Sequence, residues 1–309
     1  MKVKVKVPAT TANFGPGFDC LGMALPIYNE ITVEETVMPG SGVSIQIVNK
    51  RDDDGVLFIP TDENNIVYKS IELLYNSIGM TPSELKITIE TNIPLTRGMG
   101  SSASVIIGGV MAANKLLGNP ADEAAILTIA REVEGHLDNI VPAYAGGFCL
   151  SSNDDDGSIV YEKLNWSKDW KINICVPDFE LATNISRSVL PQCVRMKDAT
   201  YNLSHLGLLI KACEKQDSSL LKKALKDKLH EPYREKLIAG FGTIRERFKN
   251  LNDVYGTVLS GAGPSIAVIS NIDAVSEVRD SVKQIWSDLN IKSQVFTFDI
   301  EQNGATFVE

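Results

Sequence analysis

Cysteine and histidine are scarce in this sequence, and the few that occur lie far apart. The five cysteines include no CxxC pair, and the three histidines fit no zinc-ligand spacing. Disulfide frameworks and structural zinc sites both need closely spaced sets of these residues. We therefore expect free or buried thiols in a reducing compartment, with neither a disulfide framework nor a structural metal.

Long apolar runs are also missing, although 44% of the residues are apolar. No stretch approaches the ~20 consecutive apolar residues that a membrane-spanning helix needs. Residues 2–7 alternate lysine with valine, which predicts a half-exposed strand where a signal peptide would carry an unbroken apolar segment. These features predict a cytoplasmic protein with no membrane partner.

Positive charge is in deficit, with 30 Lys and Arg against 39 Asp and Glu and a net charge of -9. Proteins that bind the phosphate backbone of nucleic acids depend on clustered Lys and Arg. The balance therefore argues against a nucleic-acid partner. It leaves room for a small anionic ligand, which needs only a few local positive groups.

The periodic segments predict an α+β chain of two lobes. Strand-like alternation covers residues 2–7, 31–35, 43–48 and 85–91, and the polar residues 151–158 are typical of a hairpin tip. In the second half, helical patterns cover residues 200–215, 218–229, 232–250 and 273–289. They are interleaved with strands near residues 172–176, 256–260, 265–269 and 294–298. Segregation of this kind indicates an α+β architecture, which we divide into lobes of residues 1–162 and 163–309.

Two helices are predicted in the middle of the chain. Residues 104–117 are apolar on most faces, which predicts a buried central helix. Asn119 and Pro120 then supply an N-cap and a proline at the first helical position, and acidic residues follow them. The second helix is therefore expected to begin at Pro120 and to run to about Gly135.

A glycine-rich loop between a strand and the buried helix is the strongest local signal. It reads Pro94, Leu95, Thr96, Arg97, Gly98, Met99, Gly100, Ser101, Ser102, Ala103 and Ser104. Glycines let backbone N–H groups approach a phosphate closely, and a helix N-terminus adds unpaired donors. The pattern predicts a phosphate-binding loop; a tight strand-to-helix turn capped by serine is the alternative.

Three well-known phosphate-binding classes do not fit this loop. A Walker loop requires GxxxxGK[ST], and no lysine follows these glycines. Protein kinases carry HRD and DFG, and neither tripeptide occurs. Gly98, Gly100 and Ala103 satisfy the dinucleotide fingerprint, but the acidic residues about 20 positions later stand at a predicted helix start instead of a strand end.

Further motifs carry a family resemblance. Residues 7–22, VPATTANFGPGFDCLG, nearly match the N-terminal signature of homoserine kinases, and residues 94–104 resemble the Pro-x-x-x-Gly-Leu-Gly-Ser-Ser-Ala motif of the GHMP kinase superfamily. Residues 258–265, VLSGAGPS, resemble the third, glycine-rich motif, and residues 136–147 resemble the homoserine kinase segment after the second helix. The resemblance implies an N-terminal lobe like domain two of ribosomal protein S5 and a ferredoxin-like C-terminal lobe. It also implies catalysis in the cleft between the lobes, and often a homodimer.

The resemblance implies that ATP phosphorylates the hydroxyl of L-homoserine. Homoserine carries a carboxylate, an ammonium and the reacting hydroxyl, so its site needs a cation and acceptors. The resemblance assigns the carboxylate to Arg187 and Arg234, whose planar guanidinium groups suit it. It assigns the ammonium and hydroxyl end to Asn13, Asp19, Asp138 and Asn139. His136 is expected to be structural, and Gly261 and Gly263 are expected to close a loop near the substrate.

The resemblance also implies sites for ATP and Mg²⁺. Residues 94–104 are expected to hold the phosphates, and Asn65 to contact the nucleotide or to cap a helix. Glu132 best matches the metal-ligand carboxylate, with Ser102 or Ser101 as the hydroxyl ligand and Glu134 as the alternative carboxylate. Mg²⁺ keeps several waters and takes only one or two protein ligands, so this sparse set suffices.

The role of Asp138 is left open by the sequence. In related sugar and mevalonate kinases, an Asp at this position is regarded as the base, helped by a lysine near the N-terminal strand. This chain carries Thr10 and Thr11 where that lysine would fall. We therefore favour substrate positioning over a base role. Alternative functions are a kinase for mevalonate or another hydroxy acid, a catalytically silent metabolite sensor on this fold, and a nucleotide-binding oxidoreductase.

Overall fold

The computed structural model describes residues 1–36, 42–50, 59–82 and 84–308. The first lobe contains the strands β1 (Lys2–Ala12), β2 (Leu21–Glu35), β3 (Val43–Asn49), β4 (Leu85–Thr91), β5 (Phe148–Asn153) and β6 (Ile159–Leu164). Its helices are α1 (Ile66–Ser77), α2 (Ser101–Leu116), α3 (Glu123–Glu134) and α4 (Leu137–Ala145).

The second lobe begins with β7 (Lys171–Pro177). Helices α5 (Thr183–Ser188), α6 (Met196–Lys215), α7 (Ser218–Ala224), α8 (Glu231–Arg234) and α9 (Phe241–Phe248) follow, with a 3₁₀ turn at Glu235–Leu237 between the last two. The chain continues through β8 (Val254–Leu259), β9 (Ile266–Ser270), α10 (Val275–Asp288), β10 (Ser293–Phe298) and β11 (Thr306–Val308).

The first sheet has the order β11-β1-β2-β4-β3, and β5 pairs with both β2 and β6. Strands β3 and β4 run parallel, and the other pairs described in this sheet are antiparallel. Helix α2 lies against β1 and β2 because small residues allow close approach: a Cβ on Gly108 would lie 2.5 Å from Ile31 Cδ1. The buried central helix expected from the sequence is present, with Ile106 and Ile107 fully buried.

The second sheet is antiparallel, in the order β10-β7-β9-β8. Helices α9 and α10 cover it and bury the side chains of Phe241, Ile244 and Trp286. The two-lobe α+β architecture expected from the sequence is confirmed. The turn between β5 and β6 falls within residues 151–158, as the polar run predicted.

Several predicted boundaries are wrong, each for a local reason. Helix α2 begins at Ser101 instead of residue 104, directly after the left-handed Gly100. Asn119 does not cap α3, because its φ of 63° is left-handed and an N-cap is extended; Asp122 caps this helix and accepts a hydrogen bond from Ala125 N. The helix expected over 218–229 ends at Ala224, and the one expected over 232–250 is divided before the left-handed Gly240.

The division after residue 162 does not follow the strands. Strand β6 continues to Leu164. The last described strand, β11, returns to the first lobe and pairs with β1, so that Val5 lies opposite Phe307. Residues 306–308 therefore belong to the first sheet, although the division predicted from the sequence had placed them in the second lobe.

Candidate active site

A cavity of about 160 Å³ lies between the lobes. The turn between β1 and β2, the glycine-rich loop and the start of α4 line it from the first lobe, and α5, α8 and the loop after β8 line it from the second. Its lining includes the substrate residues expected from the sequence: Asn13, Asp19, Asp138, Asn139, Arg187 and Arg234. Tertiary structure thus brings together residues that are more than 200 positions apart.

The glycine-rich loop passes close to the backbone of Ser260 and to the side chain of Thr10. Gly98 and Gly100 have φ values of 70° and 63°. A Cβ on Gly98 would lie 2.3 Å from Ser260 O, and one on Gly100 would lie 1.7 Å from Thr10 Oγ1. Only glycine combines this conformation with this close approach. The first turn of α2, whose N-cap makes no side-chain capping bond, therefore faces the cavity with its backbone donors.

Most of the predicted phosphate loop lines the cavity. Pro94, Thr96, Arg97, Gly98, Met99, Gly100, Ser101 and Ser102 do so. Leu95, Ala103 and Ser104 are not part of the lining; Ala103 is fully buried, and Ser104 Oγ donates to Val7 O at 3.3 Å. Ala103 and Ser104 thus hold α2 against the sheet instead of facing a ligand.

Asp19 and Arg187 form an ion pair across the cleft. The Arg187 guanidinium donates to both carboxylate oxygens of Asp19, at 2.8 and 3.0 Å. Asn13 supports this arrangement, because its Oδ1 accepts from Asp19 N at 2.9 Å and its Nδ2 donates to Gly261 O at 2.7 Å. Gly261 lines the cavity, as expected, whereas Gly263 is not part of the lining.

Arg234 is a buried cation without a carboxylate partner among the described residues. Its side chain is only 1% exposed, and its guanidinium contacts Ser186 O at 3.3 Å and Gly261 O at 3.4 Å. Burial, and then the Arg187 charge, lowers the pKa of Arg234 below its ordinary value. A buried positive group that is left without an anion is costly, so this position favours an incoming anion.

Phe18 and His230 complete the surroundings of the arginines, and sequence reasoning missed both. The Phe18 ring stacks on the His230 ring with 5.2 Å between centroids. The same ring lies 5.2 Å from Arg234 Cζ and 5.8 Å from Arg187 Cζ. His230 Nε2 lies 3.0 Å from Gly15 O, so it carries the proton, which leaves Nδ1 to accept from Arg234 Nη1 at 3.4 Å. The position of Phe18 next to Asp19 in the signature was the available signal.

Glu132, predicted as the metal-ligand carboxylate, lies outside the cavity. Glu132 is exposed and is not part of the cavity lining, because it lies on a different face of α3 from Glu134. Glu134, the alternative, lines the cavity and its Oε2 accepts from Ser102 Oγ at 2.6 Å. Burial raises the pKa of Glu134, while this hydrogen bond acts in the opposite direction.

Asp138 stands in the first turn of α4 within a polar cluster. Its Oδ1 accepts from His136 Nδ1 at 2.6 Å and from Asn139 Nδ2 at 3.3 Å. Burial opposes a charged imidazole, yet the hydrogen bond to Asp138 and the nearby carboxylates raise the pKa of His136 above 6.5. Thr10, one of the two threonines predicted to stand where related kinases carry a lysine, donates to Asn139 Oδ1 at 2.7 Å.

Asn65 lies away from the cavity. It caps α1, where its Oδ1 accepts from Val67 N, and its Nδ2 donates to Pro60 O at 2.6 Å. The structure thus supports the capping role, and the cavity lining gives no support to a nucleotide contact.

The chain matches two family models, the GHMP kinases N terminal domain over residues 65–147 and the GHMP kinases C terminal over residues 209–288. It is 39% identical over 304 residues to a homoserine kinase of Trichormus variabilis, covering 98% of each chain. It is 38% identical over 307 residues to one of Clostridium botulinum, covering 98% of this chain and 97% of that one.

The chain belongs to the homoserine kinase family of the GHMP kinases. Its structure is similar to the crystal structure of homoserine kinase from Cytophaga hutchinsonii, with a TM-score of 0.88, 30% identity and coverage of 99% and 97% of the two chains. The fold is also shared with L. major mevalonate kinase, at a TM-score of 0.69 and 18% identity. The family assignment made from the sequence motifs is confirmed.

Two features are absent from the described residues. No group of three or more His, Cys, Asp or Glu side chains is arranged to hold a metal ion. None of the helices in the same ranges has the length and apolar character needed to span a bilayer.

Proposed function

We propose that this homoserine kinase family member transfers the γ-phosphoryl group of ATP to the hydroxyl of L-homoserine in the cleft between its lobes. The observation that carries the proposal is the placement of Arg234, a buried cation without a carboxylate partner, beside the Asp19–Arg187 ion pair. An amino acid complements this set, because its carboxylate pairs with the arginines while its ammonium pairs with Asp19.

The phosphates of ATP bind at the loop between β4 and α2 in this proposal. Gly98 and Gly100 keep the backbone free of side chains, and the first turn of α2 directs its N–H groups to an anion. Phosphoryl transfer depends mainly on positioning and on stabilising charge on the transferred group. Arg97 and the two arginines proposed for the substrate place further positive groups around the same cavity.

Glu134 and Ser102 fit a magnesium ion better than Glu132 does. Their side-chain oxygens are 2.6 Å apart in the cleft, and both are oxygen ligands of the kind that Mg²⁺ prefers. Mg²⁺ bound with ATP would neutralise phosphate charge. A single carboxylate is sufficient, since the remaining ligands are phosphates and waters.

Asp138 positions the substrate hydroxyl in this mechanism. Its Oδ1 already accepts from His136 and Asn139, so it is held in place at the start of α4. Among the described residues no lysine lines the cavity to steady a base, and Thr10 donates to Asn139 there. The hydroxyl proton then passes to the γ-phosphate during transfer; proton acceptance by Asp138 is the competing mechanism.

A coupled assay of ADP release tests the proposal with homoserine, mevalonate and galactose as acceptors. Magnesium-dependent turnover is expected with L-homoserine and little with the other two, since neither carries the ammonium that Asp19 would bind. Comparable turnover of mevalonate would contradict the substrate and leave the phosphotransfer intact. Cytoplasmic location and a homodimer stay predictions from the sequence, and light scattering of the purified protein tests the second.

A further inference from the structure

A second and larger cavity lies in the C-terminal lobe. Its volume is about 860 Å³, within the range of roughly 300–1,000 Å³ typical of small-molecule sites. Helices α7 and α9, strand β8 and the segment between α7 and α8 line it, and it shares no lining residue with the catalytic cleft. The reaction proposed above makes no use of this cavity.

Basic side chains outnumber acidic ones in the lining of this cavity. They are Lys222, Lys223, Lys226, Arg245 and Lys249, against Asp227, Glu231 and Glu246. The whole chain carries a net charge of -9, so this concave surface is an exception to its surroundings. A concave surface with an excess of positive charge attracts small anions.

The acidic side chains of the cavity are already occupied. Asp227 accepts from the backbone N–H groups of Leu229, His230 and Glu231, at 2.8 to 3.1 Å. Glu231 accepts from Leu259 N and from Arg245 Nη2, at 2.8 and 2.6 Å.

Two of the lysines are available to a ligand. Lys223 and Lys226 are exposed, and neither forms an ion pair within the described ranges. Lys222, by contrast, donates to Leu251 O, and Lys249 donates to Glu246. The free positive charge of the cavity therefore lies on α7 and in the segment that follows it.

The edge of the second sheet adds uncharged polar groups. Strand β8 pairs with β9 alone, and Leu259 N–H turns to the outer side, where it reaches Glu231. Thr257, two residues earlier in the strand, directs its backbone N–H and C=O to the same side. No described residue pairs with these groups, and Thr257 lines the cavity. A ligand bound to the lysines can therefore also form hydrogen bonds with the backbone N–H and C=O of Thr257.

We propose that this cavity is an effector site for a small metabolite that carries a phosphate or carboxylate group. The anion binds Lys223 and Lys226, and the rest of the ligand contacts the edge of β8. A preformed cavity, unpaired lysines and an open strand edge are three separate features that favour such a ligand.

The wall of the cavity leads directly to the substrate subsite. Glu231 begins α8, and Arg234 ends it. Glu231 also holds Leu259 N–H, two residues before Gly261, whose carbonyl accepts from Asn13 and lies 3.4 Å from Arg234 Nη1. Arg245 lines the cavity and pairs with Glu231, so a ligand that draws Arg245 away shifts two walls of the homoserine subsite. Ser260, which donates to Gly98 O at 2.7 Å, links the same wall to the phosphate loop.

Calorimetric titration of the full-length protein tests the site with two probes, pyrophosphate and succinate. The cleft is first saturated with Mg²⁺, a non-hydrolysable ATP analogue and homoserine, so that the probes cannot bind there. We expect one probe to bind the wild type, and its identity separates a phosphate ligand from a carboxylate ligand. The double variant Lys223→Glu with Lys226→Glu should bind at least ~10-fold more weakly, because two ligand contacts change sign.

Lys283→Glu is the matched control, because Lys283 is exposed on α10 and lies outside the cavity. It should bind the probe like the wild type, and basal turnover should be unchanged in all three proteins. The probe should also change the homoserine dissociation constant by about 5-fold or more, as coupled sites do. The proposal is overturned if neither probe binds, if the double variant binds as well as the control, or if homoserine affinity does not respond.

Discussion

Asp19 and Arg187 join the two lobes through a bidentate ion pair, with N···O distances of 2.8 and 3.0 Å. Asp19 lies on the turn after β1, with a left-handed φ of 57°, and Arg187 lies on α5. Both side chains are about one-third exposed, so the pair contributes little to stability. We propose that the pair serves recognition, because a zwitterionic substrate offers each partner a new counterion.

Removal of either arginine should impair homoserine recognition. For Arg187→Ala and Arg234→Ala we expect kcat/KM for homoserine to fall roughly 10–150-fold, the effect of losing a charge-assisted contact of about 1.5–3 kcal/mol. ATP affinity, titrated without homoserine, should barely change. Arg247→Ala is a suitable control, since Arg247 pairs with Glu277 on the surface. Weak ATP binding with normal homoserine binding would assign the arginines to the other subsite.

Glu134 and Glu132 provide a matched pair of variants for the metal site. Glu134→Gln should raise the Mg²⁺ concentration needed for half-maximal activity by about 10-fold or more, the size of effect seen when groups around a metal are lost. Glu132→Gln should leave it unchanged, because Glu132 is exposed outside the cleft. Magnesium titrations at saturating ATP give both values. The opposite ranking would restore the assignment made from the sequence.

Asp138→Asn separates positioning from base catalysis. The amide keeps the size of the carboxylate but cannot take a proton at neutral pH. General-base assistance typically contributes 10²–10⁴-fold, so a base role requires a fall of about that size in the chemical step. We expect instead a higher KM for homoserine and a far smaller loss in kcat. Single-turnover kinetics with a separate homoserine titration decide the matter; a thousand-fold slower step with unchanged binding would show that Asp138 is the base.

Phe18 should position both arginines through its ring face. A cation–π contact is worth about 0.5–2 kcal/mol, so Phe18→Leu should raise the KM for homoserine by roughly 2–30-fold. Phe18→Tyr keeps the ring and should retain most of the wild-type value. Comparison of KM with kcat is the informative measurement, because a variant that merely folds poorly would lower kcat without changing KM.

Glu231 should give the fold a distinct pH dependence. The side chain is 3% exposed, and burial raises its pKa to about 7, although Arg245 acts in the opposite direction. The folded chain holds this proton more tightly than the unfolded chain, so the stabilisation is complete below about pH 4.5 and is lost as the pH rises through about 7. Glu231→Gln cannot titrate. The free energy of unfolding of the wild type relative to the variant should therefore fall by up to about 3 kcal/mol over that interval. Urea denaturation across it provides the test, and a constant difference would contradict it.

The family and the two-lobe α+β fold could be predicted from the sequence, and the residues it proposed for the substrate all line one cavity. Such features can be predicted because they depend on the order of residues within short segments. Strand β4 spans Leu85–Thr91 as predicted, and glycines occur where the loop passes close to other residues, Gly98 to Ser260 and Gly100 to Thr10. Positive φ together with close approach leaves glycine as the only choice, so such positions can be recognised from the amino-acid sequence.

Tertiary structure decided what depends on contacts between distant segments. Glu132 and Glu134 are both acidic and both on α3, and only the packing of that helix turns Glu134 toward Ser102. The same holds for β11, whose place beside β1 is a long-range pairing, and for Phe18, whose partner His230 is more than 200 residues away. The helices predicted over residues 218–229 and 232–250 are both shorter in the structure. The hydrogen bonds of Asp227 and the left-handed Gly240 override local helical propensity there. The direction in which a side chain points and the residue that it contacts depend on packing between elements. Local sequence patterns describe each element separately and therefore do not contain this information.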